Sequence, residues 1–97
     1  MRRVAEPQQA DAMAAQARAC LHSLSRRERE VLQGLLTGLP NKTIAHELGI
    51  SPRSVEIHRA RLMEKMRARS LSELVRLGLA AGLQPSFDPD QGVHDLR

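Results

Sequence analysis

Five consecutive residues, Leu48-Gly49-Ile50-Ser51-Pro52, constrain the fold of this chain more than any other feature. A glycine can adopt the left-handed conformation that ends a helix, and serine followed by proline is typical of an N-cap and a first helical turn. Ile50 supplies an apolar side chain that can lie beneath the corner. The segment therefore predicts two short helices joined by a tight turn, which is a helix-turn-helix.

The composition indicates that the rest of the chain is helical as well. The 97 residues include one Phe and no Trp or Tyr, so the core must be built from Leu, Ile, Val, Met and Ala. A chain of this length forms one small domain with a modest core, and aliphatic residues of this kind are typical of helical bundles. We therefore expect an all-α domain.

Capping signals give the predicted helix boundaries. Ser25 with Glu28, and Ser70 with Glu73, have the spacing of capping boxes, so a helix is expected to begin after each serine. Gly34 lies inside the first of these helices, where glycine lowers helix stability by about 1 kcal/mol relative to Ala, which suggests that another backbone passes close to it.

These boundaries divide the chain into three parts. Residues 1–19 are predicted to form an Ala-rich linker helix, 20–84 a four-helix domain, and 85–97 a disordered tail without periodicity. The linker helix either connects to an upstream domain or packs on the bundle, and the sequence leaves both interpretations open. Within the domain the helix-turn-helix spans about 41–61, its second helix about 52–67, and the last helix about 70–82.

The positive charge is concentrated on the motif. The net charge of the chain is +4, the segment 41–70 alone carries +4, and the predicted tail carries −2. A basic segment of this kind favours an anionic partner.

Other function classes find little support. Cys20 has no partner for an internal disulfide, which favours the reducing cytoplasm, and the chain has neither a signal peptide nor a membrane-spanning apolar run. His22, His46, His58 and His94 have no metal-ligand spacing with Cys20, and the sequence has no Gly-rich phosphate loop. We therefore expect no enzyme activity, no metal, no cofactor and no membrane partner.

The second helix of the motif divides into two faces at 100° per residue. Val55, His58, Leu62 and Met66 form the inner face, where His58 is expected to be packed rather than to bind a ligand. The opposite face mixes small, apolar and basic side chains, which suits a groove better than water: Arg53, Glu56, Ile57, Ala60, Arg61, Glu64 and Arg67.

The last helix carries more apolar residues than one buried stripe requires. Leu71, Val75 and Gly78 form one stripe, and Leu74, Leu77 and Ala81 form another that is displaced from it. The second stripe, with Gly78 allowing close approach of helices, is predicted to be a dimer interface. The alternative is that the last helix is simply well buried.

Three segments together resemble one known family. They are LSRREREVL at 24–32, GLPNKTIA at 38–45 and LGISPRSVEIHRA at 48–60, and they resemble the LuxR-type helix-turn-helix, most closely the effector domain of FixJ-type two-component response regulators. The resemblance covers residues 20 to 84. It implies a four-helix domain that binds double-stranded DNA and regulates transcription, with the third helix in the major groove and a homodimer formed through the fourth. In that family the domain usually follows a receiver domain, so the sequence is either an effector domain cut from such a protein, which the Ala-rich connector favours, or a stand-alone regulator. RNA polymerase is a further candidate partner.

Residue types assign the expected DNA contacts. Helix N-termini and short polar or basic side chains bind phosphate oxygens, which predicts phosphate contacts for Asn41, Lys42, Thr43, Ser51, Arg53, Ser54 and Lys65. Side chains on the outer face of the third helix can read base edges and thymine methyl groups, which predicts base contacts for Glu56, Ile57, Ala60 and Arg61. Arg59 lies at the edge of the packed face, where it binds either a phosphate or, as we slightly favour, Glu28 or Glu30.

Two other classes share some of these features. Region 4 of a sigma factor also carries an R-E-R-E-V-L opening and a basic third helix, and it would bind core polymerase as well as promoter DNA. A helical protein-interaction module that uses only the last helix is the second alternative. Steep loss of duplex affinity with salt would separate DNA binding from the latter.

Overall fold

The computed structural model describes the backbone of residues 5–87 and the side chains of residues 11–87. Its described part contains five helices and no strand, which confirms the all-α prediction. The helices are α1 (Ala5–His22), α2 (Arg26–Leu36), α3 (Asn41–Leu48), α4 (Pro52–Lys65) and α5 (Leu71–Ala80). No helix in this part of the chain is both long enough and apolar enough to cross a bilayer.

The corner between α3 and α4 forms as the sequence predicts. Gly49 has a left-handed backbone (φ 70°, ψ 31°), and the amide of Ile50 donates to the Ala45 carbonyl at 3.0 Å, which closes the end of α3. Ser51 caps α4 by accepting a hydrogen bond from the Ser54 amide at 3.0 Å. Ile50 packs partly buried against the core. Local chemistry therefore fixes the turn of the motif.

The two predicted capping boxes differ in the structure. At α2 the box is complete, because Ser25 Oγ accepts from the Glu28 amide (3.1 Å) and Glu28 Oε1 accepts from the Ser25 amide (2.9 Å). At α5 only Ser70 acts as predicted, since Glu73 Oε1 accepts instead from the amide of Arg69 at 2.7 Å.

Helix α2 lies at the centre of the core. It packs against α4, α3 and α5, and α3 also packs against α4. Gly34 of α2 is explained by a side chain rather than by the passing backbone that the sequence suggested, since a Cβ there would lie 2.7 Å from Ile44 Cγ1. The fully buried side chains come from all four domain helices: Val31, Leu32, Ile44, Val55, Leu62 and Leu74.

Helix α1 packs on the bundle, which agrees with one of the two interpretations left open by the sequence. It lies against α5 and buries Ala17. Two cationic side chains bind carbonyls at its C-terminal end, where the helix dipole is negative: Arg29 Nη2 donates to Leu21 O (3.1 Å) and Lys65 Nζ to Ser23 O (3.3 Å).

The start of the predicted disordered tail is packed. Phe87 lies against the core, with its Cδ1 within 3.5 Å of where a Cβ of Gly34 would be. The Gln33 side-chain nitrogen donates to the carbonyls of Gln84 (2.9 Å) and Ser86 (2.8 Å) in the amide orientation that lets both ends of the group pair. The structure therefore differs from the prediction over 85–87, and residues 88–97 lie outside the described residues.

Candidate nucleic-acid interface

The outer face of α4 is exposed and does not pack against the rest of the domain. Val55, Leu62 and Met66 turn their side chains into the core and His58 is half-buried, as the sequence predicts. Ile57 on the opposite side is 41% exposed, and it lies on the same face as Arg53 and Arg61. The exposed residues of this outer face are Arg53, Glu56, Ile57, Ala60, Arg61 and Glu64. Arg67, which the sequence placed on the same face of a helix running to about residue 67, lies beyond the end of α4 at Lys65 and has a left-handed backbone (φ 59°).

The first turn of α3 is a second source of hydrogen-bond donors. Pro40 occupies the N-cap position and provides no side-chain cap, and the first helical bond runs from the Ile44 amide to the Pro40 carbonyl. The amides of Asn41, Lys42 and Thr43 consequently have no acceptor within the helix. Lys42 is exposed, and no acidic residue lies in this turn. The arrangement suits an anion.

The start of α4 offers hydroxyl groups and one arginine. The hydroxyl of Ser51 donates to Ser54 Oγ at 3.1 Å, so the Ser54 proton remains for an external acceptor. Arg53 in the same turn is exposed, and this turn also lacks an acidic residue. These three predicted phosphate contacts therefore lie together at one helix end.

Arg59 binds neither glutamate that the sequence suggested. Its Nη1 donates to Asn41 Oδ1 at 3.4 Å, across the boundary between α4 and α3. Glu30 is occupied by Arg26 and Arg27, and Glu28 by Lys65. The expected partner was wrong: both glutamates pair with other cations, and Arg59 reaches the first residue of α3 instead.

Lys65, which was predicted to contact phosphate, forms an ion pair within the domain. Its Nζ lies 2.9 Å from Glu28 Oε1, and the Glu28 side chain is only 4% exposed. Burial acts to raise the pKa of Glu28, but the hydrogen bonds from Lys65 and from the Ser25 amide outweigh it and hold the pKa below its ordinary value of 4.5. Lys65 therefore belongs to the scaffold, where it joins the end of α4 to the start of α2.

The segment that forms α3, the corner and α4 lies within a match to a known family. Residues 22–78 match the GerE model, which represents bacterial regulatory proteins of the luxR family. The chain belongs to the luxR family. This match decides between the two helix-turn-helix classes that the sequence left open, in favour of LuxR over sigma-factor region 4.

Relatives of this luxR-family chain include FixJ proteins. The transcriptional regulatory protein FixJ of Rhizobium meliloti (strain 1021) is 59% identical over 69 residues, which cover 71% of this chain and 34% of that protein. The structure of full-length FixJ from B. japonicum has a TM-score of 0.72 and 51% identity, covering 80% of this chain and 38% of that one.

A second structure corresponds to the isolated domain. The solution structure of the C-terminal transcriptional activator domain of FixJ from Sinorhizobium meliloti has a TM-score of 0.65 and 58% identity, covering 72% of this chain and 89% of that one. By contrast, this luxR-family chain spans 34%, 31% and 40% of the length of three curated FixJ relatives.

The residues predicted to form a dimer interface on α5 lie on the inward side of this luxR-family domain, not on its surface. Leu74 is fully buried, and Gly78 is buried where its Cβ would lie 3.2 Å from Leu36 Cδ2. The other two predicted residues, Leu77 and Ala81, are half-buried on the same inward side. Both stripes have helical spacing, and only the packing of α1 and α2 decides which one turns inward. The outward face instead carries Leu71, Val75 and Leu79.

The described side chains of this luxR-family domain form no grouping of three or more His, Cys, Asp or Glu residues that could hold a metal ion.

A cavity of about 140 Å³ lies between α1 and α5, with Met13, Cys20 and Met66 in its lining. Sequence reasoning missed two contacts, that of Glu28 with Lys65 and that of Asn41 with Arg59. Each residue already had a local role, Glu28 in a capping box and Asn41 at the start of a helix, so neither called for a distant partner.

Proposed function

We propose that this chain is the sequence-specific DNA-binding effector domain of a FixJ-type response regulator that controls transcription. The observation that carries the proposal is the orientation of α4 in a luxR-family domain. Its aliphatic side is fixed in the core, and its mixed basic and apolar side is exposed next to the open first turn of α3.

In this proposal α4 lies in the major groove and reads base edges. Arg61 offers paired donors to guanine, Glu56 can accept from the cytosine amino group, and Ile57 can contact a thymine methyl group. Ala60 keeps the helix close to the floor of the groove. All four side chains are exposed on the outer face of α4.

The two helix ends hold the DNA backbone in this proposal. Donors from the first turn of α3 and from the start of α4 would bind phosphates on either side of the groove and fix the register of α4. The residues assigned to this role are Asn41, Lys42, Thr43, Ser51, Arg53 and Ser54; Lys65 is omitted because Glu28 occupies it.

Pairing of two copies on DNA is also part of the proposal, through the outward face of α5. Leu71 and Leu79 are 41% and 46% exposed there, with the half-buried Val75 between them. Replacing Leu79 with Glu should abolish pairing on a palindromic site. Sedimentation of the protein–DNA complex would measure this, and an unchanged two-to-one stoichiometry would rule out this face.

The remaining partners are those of the longer parent protein. We propose that a receiver domain precedes α1, that RNA polymerase is contacted at the promoter, and that the protein acts in the cytoplasm. The first of these is supported by the greater length of the FixJ relatives and by the C-terminal position of the solved FixJ activator domain.

The decisive experiment is selection of a binding site from a random duplex pool, followed by titrations at several salt concentrations. Lys42→Ala should weaken binding to selected and random duplexes alike and reduce the slope of log K against log salt by about 0.9. Arg61→Ala should weaken the selected site more than random DNA, by about 1–3 kcal/mol. Arg18→Ala, an exposed change on α1, serves as the charge control.

Two results would contradict the proposal. Affinity for duplex DNA that does not fall with salt would favour a protein-interaction module instead. Equal losses on selected and random DNA for Arg61→Ala would remove that residue from sequence recognition.

A further inference from the structure

The contact between Arg59 and Asn41 connects the recognition helix to the phosphate-binding end of α3. Arg59 is half-buried on α4, and its Nη1 lies 3.4 Å from Oδ1 of Asn41, the first residue of α3. The two residues are 18 positions apart in the chain. The bond therefore crosses the helix-turn-helix and joins its two helices on the side away from the corner.

This bond determines which end of the Asn41 amide faces outward. A guanidinium group can only donate, so the amide must direct its oxygen toward Arg59 and its nitrogen away from it. Among the described residues Asn41 Nδ2 has no protein acceptor, and it is not among the buried polar atoms that lack a partner. The nitrogen is consequently accessible to solvent at the open first turn of α3.

The direction of the amide matters because its ligand would be an anion. A phosphate oxygen accepts hydrogen bonds, so an outward-facing NH₂ group attracts it and an outward-facing carbonyl repels it. The terminal torsion of an asparagine has two comparable orientations about 180° apart. Without Arg59, nothing among the described contacts selects the binding orientation.

We propose that Arg59 is a positioning residue for DNA binding, which orients the Asn41 amide so that it donates to a backbone phosphate. Arg59 itself does not touch the phosphate in this arrangement. The inference rests on the proposed function, because it presupposes that the first turn of α3 lies on the DNA backbone.

A double-mutant cycle tests the inference. Arg59→Met should weaken binding to a selected duplex about twofold, because it leaves about half of the Asn41 amides in the non-binding orientation. Asn41→Ala removes the hydrogen bond itself and should weaken binding about tenfold. The double variant should also be about tenfold weaker than wild type rather than about twentyfold. Asn41→Asp keeps an acceptor for Arg59 but presents an anion to the phosphate, so it should bind at least about tenfold more weakly than Asn41→Ala.

The salt dependence separates positioning from a direct phosphate contact. Asn41 is uncharged, so Arg59→Met should leave the slope of log K against log salt unchanged, whereas loss of a direct arginine–phosphate contact would reduce it by about 0.9. Arg18→Met removes the same charge from the exposed surface of α1 and should match the wild-type slope and affinity. Circular dichroism melting of each variant confirms that it is folded at the titration temperature.

The outcomes distinguish this inference from the proposed function. Three results would each overturn the positioning role. The first is a double variant whose loss of affinity equals the product of the two single losses. The second is a smaller slope of log K against log salt for Arg59→Met, and the third is wild-type affinity for Arg59→Met. If Lys42→Ala still weakens binding in those cases, the proposed function stands. If the wild-type chain shows no salt-dependent duplex binding, both fail.

Discussion

Replacing Lys65 with methionine should lower the free energy of unfolding by about 2 kcal/mol and leave DNA affinity unchanged. The substitution keeps most of the aliphatic stem but removes the cation 2.9 Å from the Glu28 carboxylate. The Glu28 carboxylate is then left without its cation, although its side chain is only 4% exposed to solvent. The Ser25 amide remains as a hydrogen-bond donor to the stranded group.

The magnitude follows from the burial of the two partners. Removing one partner of a fully buried ion pair typically destabilises a protein by about 3–5 kcal/mol. The Lys65 side chain is 39% exposed, so solvent already screens part of the attraction, and we reduce the figure to about 2 kcal/mol. For a domain of this size the melting temperature should fall by about 8–16 °C.

The effect should depend on pH in a defined direction. Folding lowers the pKa of Glu28, so its ionised form contributes stability above the ordinary value of 4.5, and this contribution is lost as the pH falls through the folded value. The melting temperatures of wild type and Lys65→Met should therefore differ most near pH 7 and converge as the pH falls through the folded pKa of Glu28, which lies below 4.5.

Two further variants make the test specific. Glu28→Gln keeps the capping box and leaves a lysine that can reach water, so it should destabilise less than Lys65→Met. Lys42→Met should show the opposite profile, with normal melting and weakened DNA binding. The reasoning is refuted if Lys65→Met melts within about 2 °C of wild type at pH 7, or if it weakens DNA binding as much as Lys42→Met.

Three other substitutions have expected effects on thermal or urea unfolding. Gly34→Ala should destabilise by about 1 kcal/mol, because overpacking against the buried Ile44 exceeds the gain in helix propensity; equal or higher stability would contradict this. Phe87→Ala should cost about 1–2 kcal/mol for a half-buried aromatic, and no loss would mean that the packed tail contributes nothing. Arg67→Gly should stabilise by about 0.5–1 kcal/mol, since Arg67 has φ 59°; a lower melting temperature would refute this.

The sequence by itself determined the features that depend on neighbouring residues. The corner at Gly49, the cap at Ser51 and the box at Ser25 all form through hydrogen bonds that span five residues or fewer. The inner face of α4 was equally predictable, because helical periodicity places Val55 and Leu62 on one side whatever they pack against.

Only the tertiary structure decided the features that depend on distant partners. Lys65 and Glu28 are 37 positions apart, and a long flexible cation could have reached solvent, a phosphate or this carboxylate. Likewise, α5 has two apolar stripes of similar spacing, and the packing of α1 and α2 selects the one that holds Leu74. Local hydrogen bonds follow from backbone geometry, whereas the choice among several chemically suitable partners follows from which helices lie side by side.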